Sequence, residues 1–405
     1  MLSSPQRWHI LTGEYPPSPG GVSDYTLLLS SKLAELGDDV HVWVPRSEAT
    51  YVHVPGVTVH ELQDHFGPLS LARIERAVMR ERGAFQLLIQ YVPHMYGYKG
   101  MNVGLAWWIK RWRALNPWVM FHEVAYARTP GQFARHRLLS HVQQTMARWV
   151  AKSAARRFVS IPLWQPYLEE IVNAPVACEW LPVPSNVETT VDSARVDAIK
   201  HDIVPGPSQR IVAHFGTYFS WIADELARVI AEMMHRDPEW FVLLLGRGSA
   251  EFAGTLIVKH PEWKGRIHAT GGIPASEVAA HLAAADVLYQ PYPDGVSSRR
   301  GSTMAGLALG LPIVTNSGHL SETIWRDERC VVLVDLNDRG SVHTALEAYS
   351  NPSCERTELM IRANAVYERH FSWDRTIEHL RRTEKSDSLA CPPLRSDLLV
   401  VKSIS

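Results

Sequence analysis

The sequence of 405 residues has no apolar run long enough to cross a bilayer. Its longest runs, such as Phe241–Leu245, fall far short of the roughly 20 residues a spanning helix needs. Met1–Arg7 lacks the charged-then-apolar pattern of a secretory signal. Cysteine is scarce. Cys178, Cys330, Cys354 and Cys391 are scattered, with neither metal-ligand spacing nor a disulfide framework, so a reducing, cytoplasmic setting is expected. There is no internal repeat, no low-complexity stretch and no GxGxxG fingerprint, which leaves a dinucleotide site poorly supported. Net charge is nearly absent too, at −1.

That near-zero charge hides an asymmetry. Lys99 to Arg157 holds eleven Lys or Arg against the single acid Glu123, a balance of +10, so the rest of the chain carries −11. A basic segment in a near-neutral protein points to an anionic partner: phosphate, acidic glycan, membrane surface or nucleic acid. No nucleic-acid recognition motif accompanies it, so nucleic acid is not expected. Leu105, Trp108, Ile109, Trp112 and Leu115 share a helical face flanked by Lys110, Arg111 and Arg113. Such a face either lies on an anionic membrane or covers a sheet while its cations reach back to water.

The length suits two α/β domains. Short apolar runs alternate with helical periodicity, the pattern of parallel sheets covered on both faces. Strands are expected at Trp8–Thr12, Val40–Val44, Leu87–Tyr91, Val119–His122, Arg157–Ile161 and Glu179–Val183. A second set is expected at Ile211–Phe215, Phe241–Leu245, Ile267–Thr270, Val287–Gln290, Pro312–Thr315 and Val331–Val334. Prolines between Pro182 and Pro207 mark the junction, a final helix is expected at about Trp373–Arg382, and the tail from Lys385 to Ser405 reads as loosely ordered. The fold class is therefore α/β, with two Rossmann-like, doubly wound parallel-sheet domains facing a cleft. Residues 1–185 would form the first domain, 186–370 the second, 371–384 a closing helix and 385–405 the tail.

Ligands of such sheets bind beyond the carboxyl ends of the strands, so chemistry is sought in the loops there. After the first strand, Gly20 and Gly21 open a helix where free amides favour an anion. Another strand ends in His122-Glu123, and His122 suits a sugar hydroxyl or a proton transfer. Tyr91, His94 and Tyr96 place aromatic rings and a polar tip after Gln90, suited to a sugar face or to packing. In the second half, Gly216 and Thr217 follow one strand and Arg247 follows the next, where its fork can clamp a phosphate. The densest stretch is Asp294-Gly-Val-Ser297-Ser298-Arg299-Arg300-Gly301-Ser302, ahead of an apolar helix. Hydroxyls, guanidinium groups and a helix N-terminus there combine as an anion site.

Taken in order, these residues resemble the retaining glycosyltransferases of family 4, which have the GT-B fold. The resemblance runs from Trp8 to about Arg382. It rests on Glu14-Tyr-Pro-Pro…Gly20-Gly21, His122-Glu123, Val183-Pro184-Ser185-Asn186, Ala283–Gln290 with Pro291, Gly310-Leu311-Pro312, Leu320-Ser-Glu322 and Phe371-Ser-Trp-Asp374-Arg375. It implies that the last helix crosses back to the first domain. It also implies a glycosyltransferase that moves a sugar from a nucleotide sugar with retention of configuration, without metal or cofactor. The donor would be held by the second domain and a glycan, lipid-linked or small-molecule acceptor by the first. His122 and Asp294 become the expected catalytic groups. Gly20, Gly21, Gly216, Thr217, Arg247, Ser297, Ser298, Arg299, Arg300, Gly301 and Ser302 would hold the donor, and Glu14, Tyr91, His94, Tyr96 and Glu123 the acceptor. Two departures stand out. The family's paired glutamates, eight residues apart, fall here on Ser297 and Ala305. Its Arg and Lys after the first strand of the second domain are also missing, so Arg299, Arg300 and Arg247 are expected to meet the diphosphate. Alternatives are a non-catalytic nucleotide-sugar-binding protein of the same fold and a sugar-nucleotide epimerase.

Overall fold

The computed structural model describes residues 5–126, 131, 133–206 and 208–382. The tail expected to be loose and Cys391 lie outside them. Contacts divide the described residues into two compact units: one up to Pro182, joined by Thr376–Arg382, and one within Val183–Arg375.

The first unit is built on seven parallel strands: β1 (Arg7–Leu11), β2 (Asp39–Pro45), β3 (Val57–Leu62), β4 (Gln86–Tyr91), β5 (Trp118–Phe121), β6 (Arg156–Val159) and β7 (Glu179–Trp180). Their spatial order is β3-β2-β1-β4-β5-β6-β7. The central strands β1, β2, β4 and β5 are mostly apolar because both sheet faces are covered there by helices. Leu11, Leu87, Ile89, Val119 and Phe121 pack on one face against Leu105, Trp108, Ile109, Met146 and Val150 of the helices Val103–Arg111 and Ala134–Ser153. The amphipathic face expected as a possible membrane surface is thus spent on the sheet. Lys110 lies over the Trp149 ring at 5.0 Å, and Arg111 lies over Trp107 at 5.6 Å and Trp112 at 5.5 Å.

The second unit holds six parallel strands: β8 (Arg210–Phe215), β9 (Trp240–Leu245), β10 (Ile267–Ala269), β11 (Val287–Gln290), β12 (Ile313–Asn316) and β13 (Val332–Val334). Their order is β10-β9-β8-β11-β12-β13. Val212, Val242, Leu244, Val287, Tyr289 and Val314 form a core with Ile222, Leu226, Ile230 and Met233 of the helix Ser220–Arg236.

Twelve strands fall where the sequence places them, within a residue or two at most ends. β3 was not expected. Its sequence, VTVHEL, buries only Val57 and Leu62, as suits an edge strand. β7 is shorter than expected, since Pro182 and Pro184 cannot donate to a ladder. The proline-marked junction is no plain linker, because it carries the helix Ser193–Ile203, capped by Asp192.

The last helix, Trp373–Arg381, ends in the first unit. There Arg381 pairs with the buried Asp38 at 2.7 Å, and His379 Nε2 meets Glu179 Oε2 at 2.8 Å. Burial works against ionisation of Glu179, but hydrogen bonds from Arg156 and His379 hold its carboxyl down at about 2. Among the described residues no helix is long and apolar enough to cross a membrane.

Candidate functional site

A doubly wound sheet has one place where adjacent strands send their chains to opposite sides, and ligands settle at the carboxyl end of that point. In the first unit it lies between β1 and β4, in the second between β8 and β11. A fully buried glutamine stands at or next to the end of the strand at each: Gln90, the penultimate residue of β4, and Gln290, the last of β11.

In the second unit, Gln290 Nε2 donates to Phe215 O at 2.9 Å across the switch point, and its Oε1 has no partner among the described residues. Beside it, His214 donates from Nδ1 to Tyr289 O at 3.0 Å; its buried Nε2 has no well-formed hydrogen bond among the described residues, with the Thr217 backbone as its polar neighbour. Burial pushes His214 down to about 4, so it is neutral at physiological pH. A Cβ placed on Gly216 would stand 3.7 Å from His214 Nε2 and 4.0 Å from Ser302 Oγ, so these polar atoms flank that glycine. Gly246, at φ 105°, comes so close that a Cβ would meet Gly216 O at 2.4 Å. Only glycine tolerates both demands.

The Asp294–Ser302 loop is more internally paired than its sequence suggests. Asp294 takes Arg299 Nη2 at 2.6 Å on one oxygen and Arg300 Nη2 on the other. Arg300 also lies 4.7 Å above the Tyr292 ring. The trio therefore offers a net +1, not +2. Asp294 organises the arginines, with both of its carboxylate oxygens engaged. Ser298 is fully buried, and its N–H and Oγ both donate to Glu322 Oε1, the former at 2.9 Å. It shapes the loop and has no surface for a ligand. Ser297 is equally buried, but its Oγ has no hydrogen-bond partner among the described residues. Ser302 and Thr303 each meet Tyr292 OH at 2.8 Å. The helix Gly301–Ala308 starts there without a side-chain cap, so its N-terminus keeps its attraction for an anion. Arg247, at the end of β9, and Thr217 are exposed. Arg247 has no ion-pair partner among the described residues and brings an uncompensated charge to this edge.

In the first unit the glycine-opened helix Gly21–Glu35 has already found its anion. Glu14 Oε1 accepts from Ser23 N at 3.1 Å, and a Cβ on Gly20 would stand 2.2 Å from the same oxygen. Burial raises the Glu14 carboxyl above its ordinary range while the amides of Ser23 and Val22 pull it back. The helix start that Gly20 and Gly21 open is thus already occupied, by Glu14 on the amides of Ser23 and Val22, so a phosphate on those amides must first displace Glu14. His94 Nδ1 lies 3.5 Å from Glu123 Oε2, both groups exposed, so these two expected acceptor residues come together. Tyr91 and Tyr96 do not join them. Both are buried, and Tyr96 OH donates to Gln90 O at 2.6 Å and to Leu11 O at 3.2 Å. Their rings are core, with no face left for a sugar.

His122 sits just beyond β5, only 7% exposed. Its Nε2 faces Gln90 Oε1 at 2.7 Å, and Tyr25 packs edge-on at 5.0 Å. The amide oxygen can only accept, so Nε2 donates and Nδ1 holds the lone pair. Burial pushes His122 down to about 3, so the imidazole serves as a neutral acceptor. His214, Gln290 and Tyr292 were not among the expected site residues. Their positions at strand ends were readable, but their neighbourhood depends on strand order.

No family model and no curated relative matches the chain. Solved structures do. The sucrose-phosphate synthase of Thermosynechococcus elongatus superposes with a TM-score of 0.68 at 17% identity, covering 93% of this chain and 97% of that one. WaaG, a glycosyltransferase of lipopolysaccharide biosynthesis, gives 0.63 at 13% identity, over 89% and 95%. HepE of Anabaena, solved in complex with UDP, gives 0.60 at 14% identity, over 93% and 98%. The two parallel-sheet units of this chain thus have the GT-B fold of glycosyltransferases.

Proposed function

We propose that the chain transfers a sugar from a nucleoside-diphosphate donor to an acceptor, with retention of configuration and no metal in the reaction, as its resemblance to family 4 implies. The observation that carries this reading is the switch point of the second unit. Unpartnered polar atoms of Gln290 and His214, an uncapped helix N-terminus and the unpaired Arg247 line one strand edge. Neutral acceptors suit sugar or base hydroxyl and N–H groups. The helix terminus, Arg247 and the positive charge of the Asp294–Arg299–Arg300 trio suit a diphosphate and stabilise it as it leaves. HepE, of the same fold, is known in complex with UDP, which supports a nucleotide as the ligand. His122, a neutral acceptor held by Gln90, is assigned to a hydroxyl of the transferred sugar.

For the acceptor, the first unit exposes Tyr126, Phe133 and Leu138 near Arg135 and Arg137. Apolar rings among cations suit an acceptor with both lipid and anionic parts at an anionic membrane surface. Co-sedimentation with phosphatidylglycerol vesicles, lost at high salt, is the expected result. No binding at low salt overturns the membrane part alone.

The test of the transfer is incubation with a panel of nucleotide sugars. Slow release of a nucleoside diphosphate from one donor, unaffected by EDTA, is expected, with proton NMR showing the released sugar in its original configuration. Release from none of the panel refutes the reading, and an inverted product refutes the retention.

A further inference from the structure

We propose that the second unit carries a binding site for a late first-row divalent cation of the zinc class, formed by His235, His260 and Glu262. One ligand atom from each lies within 4.8 Å of the other two, and among the described residues this is the group of His, Cys, Asp or Glu side chains that gathers so closely. A tetrahedral zinc site places its ligand atoms about 3.3 Å apart, given bonds of about 2.0–2.1 Å. His260 Nδ1 and Glu262 Oε1 already stand at 3.4 Å.

The tautomers agree with this chemistry. His235 Nδ1 faces Ala231 O at 2.6 Å and must donate to it, which leaves Nε2 with the lone pair. A backbone carbonyl holding the far nitrogen is the usual support of a metal-bound imidazole. Trp263, 1% exposed, fixes both rings: His260 stacks on it at 3.8 Å, and His235 meets it edge-on at 5.3 Å. The two imidazoles are therefore oriented before any ion arrives. Two imidazoles and one carboxylate favour zinc over magnesium or calcium.

Place in the fold sets the role. His235 ends the helix Ser220–Arg236, just before β9 begins. His260 and Glu262 follow the helix Ser249–Lys259, before β10. Helices that return between parallel strands finish at the amino edge of the sheet, so this trio lies at the edge opposite Gly216, Arg247 and Gln290. The ion would staple two neighbouring crossover helices and take no part in sugar transfer. The histidine stack of the first unit does not compete for it. His9 Nδ1 accepts from Trp43 Nε1 at 3.1 Å, and His41 Nδ1 is bonded to His60 Nε2 at 2.9 Å.

Titration of zinc chloride into the tag-free, EDTA-treated full-length chain tests the site by calorimetry. One equivalent is expected to bind, and His235→Gln and Glu262→Gln are each expected to weaken it at least tenfold. Zinc at a hundredfold excess over the parent's Kd should raise the melting temperature by about 5–10 °C in the parent and by about half of that or less in the variants. Cobalt in the parent chain should give the intense visible bands of a four-coordinate ion. Unchanged zinc affinity in folded variants, no zinc uptake by the parent, or a purely six-coordinate cobalt spectrum overturns the proposal.

Discussion

Glu322 offers the sharpest stability test, because its carboxylate serves three buried donors at once. Oε1 accepts from Ser298 N and Ser298 Oγ, and Oε2 from Trp325 Nε1 at 2.7 Å. All three residues are buried, and burial raises the Glu322 carboxyl above its ordinary range while those bonds oppose it. Glu322→Ala leaves the three donors unpaired, at about 1–3 kcal/mol each. Removing a buried carboxylate recovers part of that through relieved desolvation, so a net loss of about 3–5 kcal/mol is expected. Glu322→Gln keeps one acceptor oxygen for Ser298 and turns an NH2 towards the indole. It loses one bond, about 1–2 kcal/mol. For a unit of this size each kcal/mol moves the melting temperature by about 2–4 °C, so Ala should lower it by about 6–20 °C and Gln by about 2–8 °C. Thermal melts followed by tryptophan fluorescence decide. An Ala variant within 2 °C of the parent, or a Gln variant as weak as Ala, refutes the reasoning.

Other consequences are equally direct. Tyr96→Phe should cost about 1–2 kcal/mol in urea denaturation, for its bonds to Gln90 O and Leu11 O, while nucleotide affinity stays unchanged. His122→Ala should lower turnover at least tenfold with little change in nucleotide affinity, and the parent's turnover should show no His122 titration above pH 5, since that imidazole is already neutral there. Burial pushes His9 down to about 4. The unfolded chain therefore takes up a proton first, near pH 6.5. His9's contribution is full above that pH and is lost between 6.5 and 4, about 3 kcal/mol in all. His9→Gln should flatten that stretch of the stability profile.

The strands were readable because parallel sheets write both faces in apolar residues, as in Trp240–Leu245, which is buried throughout. The edge strand Val57–Leu62 was not, since it buries only its two end residues and carries polar Thr58, His60 and Glu61 between them. Among site residues the limits are of another kind. Tyr96 reads as a sugar platform until its hydroxyl is seen bonded to two backbone carbonyls. The Arg299–Arg300 pair reads as +2 until the loop folds Asp294 between them. Gly20 and Gly21 read as an open anion site until Glu14 fills it. His214 and Gln290 are 76 residues apart and meet only because β8 pairs with β11. Each of these depends on which groups the folded backbone brings into contact, near in sequence for Asp294 and Glu14 and far for His214 and Gln290, which the residue pattern does not specify.

The central claim is that the carboxyl edge of the second unit binds a nucleoside diphosphate through Arg247 and the helix beginning at Gly301. Calorimetric titration of UDP, GDP, ADP and TDP into the parent chain and the Arg247→Ala variant tests it most directly. One nucleotide should bind at a single site, and loss of one charge-assisted hydrogen bond should weaken it by about 1.5–3 kcal/mol, roughly 10- to 150-fold. No binding of any nucleotide by the parent, or equal affinity in the variant, would contradict the account.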